Sequence, residues 1–163
     1  MLATNNTTLF TNNTASSYDT SSNVYSYGNY YNWYSATAGH GTYSKSSGNT
    51  SGDICPAGWH LPTGGSVSAE FVALDVAMGG TGAYQGTVEA SNRWRTYPNN
   101  FVYSGVVNGS SVGNRSSYGR YWSSSASSSG SAYRLHLYSS NVYPGTSNDY
   151  KYGGRVVRCV AGV

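Results

Sequence analysis

Ile54-Cys55-Pro56-Ala57-Gly58-Trp59-His60-Leu61-Pro62 is the most constrained run in this chain. It holds one of two cysteines, one of four tryptophans and two of four prolines. Each proline lacks a backbone N–H and pushes the residue before it toward an extended conformation. The run is therefore neither a regular helix nor a central strand. It reads as a rigid extended segment that packs Trp59 and Leu61 inward, with a helix to follow. The second cysteine lies in the closing stretch Arg155-Val156-Val157-Arg158-Cys159-Val160. A bond between Cys55 and Cys159 would close almost everything between them into one loop, which loop entropy values at roughly 4–5 kcal/mol.

Downstream, Phe71, Leu74 and Met78 fall at i, i+3 and i+7, which predicts a core-packing helix over Ser68 to Met78. Ser66 or Ser68 is its expected cap, and Gly79-Gly80 its end. Glu70 and Asp75 read as a dipole partner and a solvated side chain, not as an acid/base pair. Residues 81–100 read as irregular. Trp94 is expected to be buried between solvated Arg93 and Arg95, and Tyr97-Pro98-Asn99-Asn100 to turn. Phe101 to Val107 has strand composition, and Val107-Asn108-Gly109-Ser110 supplies a hairpin turn. Tyr118 to Ser123 is expected to form a strand that enters the core at Trp122. In Ala132 to Tyr138 the alternation sends Leu135 and Leu137 to the core, with Tyr133 in line. It sends Arg134, His136 and Tyr138 to the opposite face. Ser139 to Gly154 is small, polar or tyrosine almost throughout, with Val142 and Pro144 as fixed points. A closing strand ends the chain, with Val157, Cys159 and Ala161 on one side and Val156, Arg158 and Val160 on the other.

Upstream, residues 1–24 read as a leading arm or linker, tied down by Leu9 and Phe10. Tyr25, Tyr27, Tyr30, Tyr31, Trp33 and Tyr34 form an aromatic cluster, read as core and edge packing. A stacking platform for sugars is the sharper alternative. Gly39 to Asp53 reads as a surface loop carrying His40 and Lys45.

The 163 residues suit one domain with a real core, residues 25–163. Only 9% are charged, against about 25% in typical domains. Aromatics reach 15%, with 17 tyrosines, which argues for an ordered, loop-rich fold rather than disorder. The net charge of +3 is spread along the chain, so nucleic-acid binding is not expected. No run of 18 apolar residues exists to insert into a membrane. Met1-Leu2-Ala3 leads straight into polar residues, with no secretory signal. The chain reads as a fragment of a longer exported protein, or an intracellular or virion protein. The paired cysteines favour an oxidising location, extracellular or on a cell or virion surface.

No catalytic constellation emerges. The three histidines, at 40, 60 and 136, are widely separated, and no zinc, calcium or phosphate-loop spacing occurs. Neither metal nor cofactor is expected. Cys55 could act as a nucleophile near His60, but Cys-Pro in a rigid segment with a second cysteine available reads better as half of a disulfide. The tail instead combines tyrosine with Ser, Asn and Gly, as antibody-type paratopes do, with rigid amphipathic contact area beside adaptable hydrogen-bonders; composition alone equally suits a soluble loop in a Tyr/Ser-rich chain.

Cys-Pro-Ala-Gly-Trp-His-Leu-Pro-Thr at 55–63, the helix, Tyr-Trp-Ser-Ser at 121–124, Ala-Tyr at 132–133 and Val-Arg-Cys at 157–159 together resemble the bacterial major-paralogous-domain (FISUMP) family. The resemblance covers roughly residues 25–160. It implies a C-type lectin-like fold, related to that of formylglycine-generating enzymes: α+β, with short antiparallel strands, one or two helices and much loop. The tail also resembles the variable region of proteins diversified by retroelements, here about residues 118–158. In such systems template adenines are copied with errors, and an AAY codon becomes any residue except Lys, Glu, Gln, Met or Trp. Between Tyr133 and Val157 only Lys151 falls outside that set. The resemblance implies an exposed ligand-binding face of Arg134, His136, Tyr138, Asn141, Tyr143, Ser147, Asn148, Asp149, Tyr150 and Tyr152. The Glu-Pro-Asn and Trp-Asn-Asp signatures of calcium-dependent lectins are absent, and both cysteines sit at framework positions, so fold does not carry function across. The expected protein is a non-enzymatic, monomeric binder of a protein or cell-surface partner. The alternatives are a glycan-binding adhesin that stacks sugars on the Tyr25–Tyr34 cluster and Trp94, and an enzyme of the formylglycine-generating type.

Overall fold

The computed structural model describes residues 29–41, 46–109 and 111–161. The expected arm over residues 1–24, Tyr25, Tyr27 and Lys45 lie outside them. In chain order the elements are α1 (Trp33–Ala36), β1 (Gly48–Asn49), β2 (Trp59–His60), α2 (Glu70–Ala77), α3 (Val88–Arg95), β3 (Val106–Asn108), β4 (Ser111–Gly113), β5 (Gly119–Ala126), β6 (Ser131–Leu137), β7 (Val142–Tyr150) and β8 (Val160–Ala161). The arrangement is mixed α+β, with mostly antiparallel sheet and few helices. Four strands form the main sheet in the order β1-β5-β6-β7, and β2 pairs with β8 and β3 with β4. The named pairings are all antiparallel.

Strand alternation gives the main sheet two unlike faces. Tyr121, Leu135, Leu137 and Val142 are buried against Phe71 of α2, Ala90 and Trp94 of α3, and Phe101. On the other face, Trp122, Ala126 and Ala132 pack with Trp33 and Ala36 of α1 and with Leu61. Trp122 and Leu135 reach their expected cores. Tyr133 does not join Leu135 and Leu137. It lies half-buried over Gly65, where an added Cβ would come within 2.3 Å of its ring.

Cys55 and Cys159 are joined across a separation of 104 residues. The Asp53 carboxylate shapes the proline run by accepting the Cys55 and Leu61 amides, each at 2.8 Å. Leu61 is 1% exposed, but Trp59 is 52% exposed. The expectation that both point inward is corrected. A turn closed by Trp59 N–H donating to the Pro56 carbonyl, with Gly58 at φ +81°, puts Trp59 opposite Ala161 on an outer two-residue ladder.

Three further expectations change. Neither Ser66 nor Ser68 caps α2. Instead Glu70 N–H donates to Thr63 Oγ1 at 2.9 Å, and Thr63 N–H to Glu70 Oε2 at 2.8 Å. This is a reciprocal satisfaction of two end groups, as in a capping box. Asp75 is fully buried rather than solvated. It accepts from Trp94 Nε1 at 3.0 Å, Gly82 N–H at 2.9 Å and Gln85 Nε2 at 2.6 Å. Residues 88–95, expected to be irregular, form α3. Thr87 caps it through Ala90 N–H, and Glu89 at its start and Arg93 and Arg95 at its end suit the helix dipole. Its buried face is only Ala90, Ser91 and Trp94, too small for a visible apolar stripe. The strands at both flanks are also shorter than composition suggested: Val106–Asn108 where 101–107 was expected, and Val160–Ala161 at the end.

Two outcomes follow from this packing. Replacing both cysteines by serine lowers the unfolding free energy in urea by about 5 kcal/mol, the loop-entropy value for a closure of this length. Asp75→Ala strands three buried or half-buried donors and costs about 3 kcal/mol or more by the same titration.

Candidate binding face of the sheet

The cross-strand register brings the charged part of the tail together. Arg120 lies opposite His136, Trp122 opposite Arg134, Arg134 opposite Ser147, and His136 opposite Tyr143. Directly opposed residues share a face. The α1 side of the sheet therefore passes from the Trp33–Trp122 core, through a knot of charge, to a cluster of rings.

Asp149 is the centre of the knot. Its Oδ2 accepts from Arg155 Nη2 at 2.7 Å and Nε at 2.9 Å, and from Arg120 Nη1 at 2.9 Å. Arg134 Nε stands 3.2 Å from the same oxygen. Burial alone would raise the Asp149 carboxyl, but Arg155, Arg134 and Arg120 outweigh it and hold the group below the ordinary aspartate range. Arg155, 1% exposed, also donates to the carbonyls of Val107 and Gly154 and to Asn108 Oδ1. Burial and the neighbouring arginines lower Arg134 to about 9, which leaves it cationic at neutral pH. Burial, then Arg134, Arg120 and Arg155, push His136 down to about 2. His136 is therefore neutral, and its Nε2 accepts from Arg120 Nε at 3.2 Å. The proton sits on Nδ1.

Beyond the knot the rings run in contact. His136 lies 4.0 Å from Tyr138 and 5.7 Å from Tyr118, and Tyr118 lies 4.6 Å from Tyr138. Tyr143 extends the row to Tyr84, centroids 4.6 Å apart. Tyr84 is 53% exposed.

The ten expected site residues thus divide. Arg134, His136, Tyr143, Ser147 and Asp149 share the face, and Tyr138 joins through its ring contacts. Asn148 and Tyr150 pair with Tyr133 and Ser131, on the other face. Tyr150 stacks on Tyr152 at 5.3 Å, away from the ring row. Asn141 sits in the β6–β7 turn, its carbonyl accepting Tyr138 N–H at 2.9 Å. The expectation that all ten are exposed is corrected: only Asn148, Tyr150 and Tyr152 are exposed, Tyr138, Asn141, Tyr143, Ser147 and Asp149 are half-buried, and Arg134 and His136 are buried. Arg134 is 6% exposed beside Asp149, and His136 is 2% exposed against the Tyr118 and Tyr138 rings. Tyr84, Tyr118 and Arg120 belong to the same face, with fully buried Arg155 beneath it, and none of the four was anticipated. Arg120 alternates with Tyr121 in the strand, a usable signal; Tyr84 arrives through the isolated Gln85–Val142 bridge, which has no local signature.

The aromatics proposed to stack on glycans are elsewhere: Trp33 and Trp94 are fully buried, with indole N–H groups donating to Ser123 O and Asp75 Oδ1. Neither cysteine is a free thiol. No helix among the described residues is long and apolar enough to cross a membrane.

Asp149→Ala leaves three partly or fully buried guanidiniums without their carboxylate and costs about 3–5 kcal/mol in urea unfolding at pH 7. The stabilising contribution of Asp149 is full above the unfolded aspartate pKa of about 3.9 and is lost as pH falls from there through the lower folded value. The acid limb of the stability–pH curve flattens in Asp149→Asn relative to the parent.

Compared with known proteins, the chain matches no family model, no curated protein and no solved structure.

Proposed function

We propose that the protein is a non-enzymatic binder whose ligand-contacting surface is diversified by substitution, displayed on a C-type lectin-like scaffold. The observation that carries this reading is the continuous row Tyr84, Tyr143, His136, Tyr138 and Tyr118, mounted on paired strands over a buried framework. Tyrosines held by a rigid sheet offer large contact area with little ordering cost on binding. The division of the tail supports it. Leu135, Leu137, Val142 and Arg155 are buried framework, whereas Tyr138, Asn141, Tyr143, Ser147, Asn148, Tyr150 and Tyr152 keep part or most of their surface. Lys151, the tail residue outside the adenine-substitution set, is fully buried, with its ammonium 4.5 Å from the centre of the Trp33 ring. It falls where a framework residue should fall. The ligand in this reading is a protein or other surface molecule outside the cell.

Sequencing the locus tests the proposal. The expected result is a near-repeat of the codons for residues 118–160, beside a reverse transcriptase, that differs only where the repeat has adenine. Mismatches are expected at Tyr138, Asn141, Tyr143, Ser147 and Tyr150, and matches at Trp122, Leu135, Leu137, Val142 and Lys151. Absence of the repeat, or mismatches concentrated in the core codons, refutes it.

A further inference from the structure

We infer that Arg134 is the anchor for an acidic side chain of a protein ligand, received at the floor of the tyrosine-lined face; the assignment rests on the binding-face reading above. Three guanidiniums converge on one carboxylate, and among the described residues no second carboxylate pairs with them. The knot therefore carries an excess of positive charge in a poorly solvated place, where unpaired charge is costly. The three arginines are not equivalent. Arg155 spends its donors on Asp149, Asn108 and two carbonyls. Arg120 is hydrogen-bonded to Asp149 and His136. Arg134 is 6% exposed, and its Nε and Nη1 are buried without a hydrogen-bond acceptor from the protein. Buried donors of a charged group ordinarily have partners. His136 adds nothing to the positive charge, and its ring and that of Tyr138 stand beside the knot as a rim.

Shape selects among anions. Beside a guanidinium only 6% exposed, a planar carboxylate needs less room than a tetrahedral phosphate. In Asp or Glu it sits at the end of a thin stem, whereas in an acidic sugar it is fixed directly to a bulky ring. The carboxylate reaches Arg134 by displacing half-buried Tyr138, a side-chain movement that leaves the sheet intact. Once there, it forms charge-assisted hydrogen bonds shielded from salt.

The test follows the Arg134 Nε–Hε resonance of the 15N-labelled protein at constant ionic strength, assigned by its loss in Arg134→Lys. The probes are N-acetylglutamate amide, N-acetylglutamine amide, glucuronate and inorganic phosphate. The expected result is a saturable shift with the glutamate probe and none with its neutral glutamine counterpart. In Arg134→Lys, checked for an intact backbone spectrum, the glutamate-induced shifts at Tyr138 and Tyr143 fall at least tenfold. No saturable shift with glutamate, or a tighter response to glucuronate or phosphate, overturns the assignment. The parent titration decides even if Arg134→Lys misfolds, because the resonance is then assigned by through-bond correlation from Nε–Hε along the side chain to the Arg134 backbone amide. A silent titration beside adenine-directed mismatches at the locus removes the acidic ligand and leaves the binding face standing; a locus without the repeat removes the face itself.

Discussion

The Asp149 carboxylate and the arginines around it set the geometry on which the rest of the tail depends. Arg155 reaches it from the closing segment, Arg120 from β5 and Arg134 from β6, while Arg155 also ties down Val107 and Asn108 of β3. One anion thereby ties the closing segment, β5 and β6 together, and through Arg155 β3 as well, beside the apolar packing of Val107, Tyr121, Leu135 and Val156. Buried ion clusters add less net stability than their contact list suggests, because each charge loses its hydration. What the cluster does supply is geometry: Asp149 Oδ2 holds Arg155 and Arg120 at hydrogen-bond distance and Arg134 Nε at 3.2 Å.

The two faces of the main sheet divide labour by chemistry. One is closed by aromatic and aliphatic packing beneath α2 and α3. The other is closed at one end by Trp33 and Trp122, then becomes polar and finally aromatic. In the proposed binding role, rings on a scaffold held by the Cys55–Cys159 bond need little ordering to make contact, Tyr138 excepted, so little binding energy is consumed in arranging them.

Much of this was legible in the sequence, and the failures have physical causes. Alternation in Ala132 to Tyr138 located β6 and assigned Leu135 and Leu137 to the core, because a half-buried strand writes its faces directly into the residue order. The same alternation put Arg134 and His136 on the correct face but misjudged their exposure. Polarity predicts which side a residue takes, not whether distant rings such as Tyr118 then cover it. α3 was missed because its cap and charge pattern are polar signals, and its buried face is largely small. Asp75 was misread because its donors Gly82, Gln85 and Trp94 gather only in three dimensions. Trp59 was misplaced because a two-residue ladder, not hydrophobicity, sets its direction.

The irregularity between β6 and β7 has a meaning for inheritance. From Arg134 to His136 the chain advances two residues, while the opposed stretch from Ser147 back to Tyr143 advances four, with Pro144 and Gly145 in the excess. The excess is even, so Tyr143 and Ser147 stay in phase and face the same way. A lineage altering this surface is therefore free to change letters but not to change length by one, since a single inserted or lost residue would turn one part of the strand inside out. In the proposed role, variation here is confined to spelling. A copying process that substitutes bases without adding or removing them explores the sequences this strand tolerates.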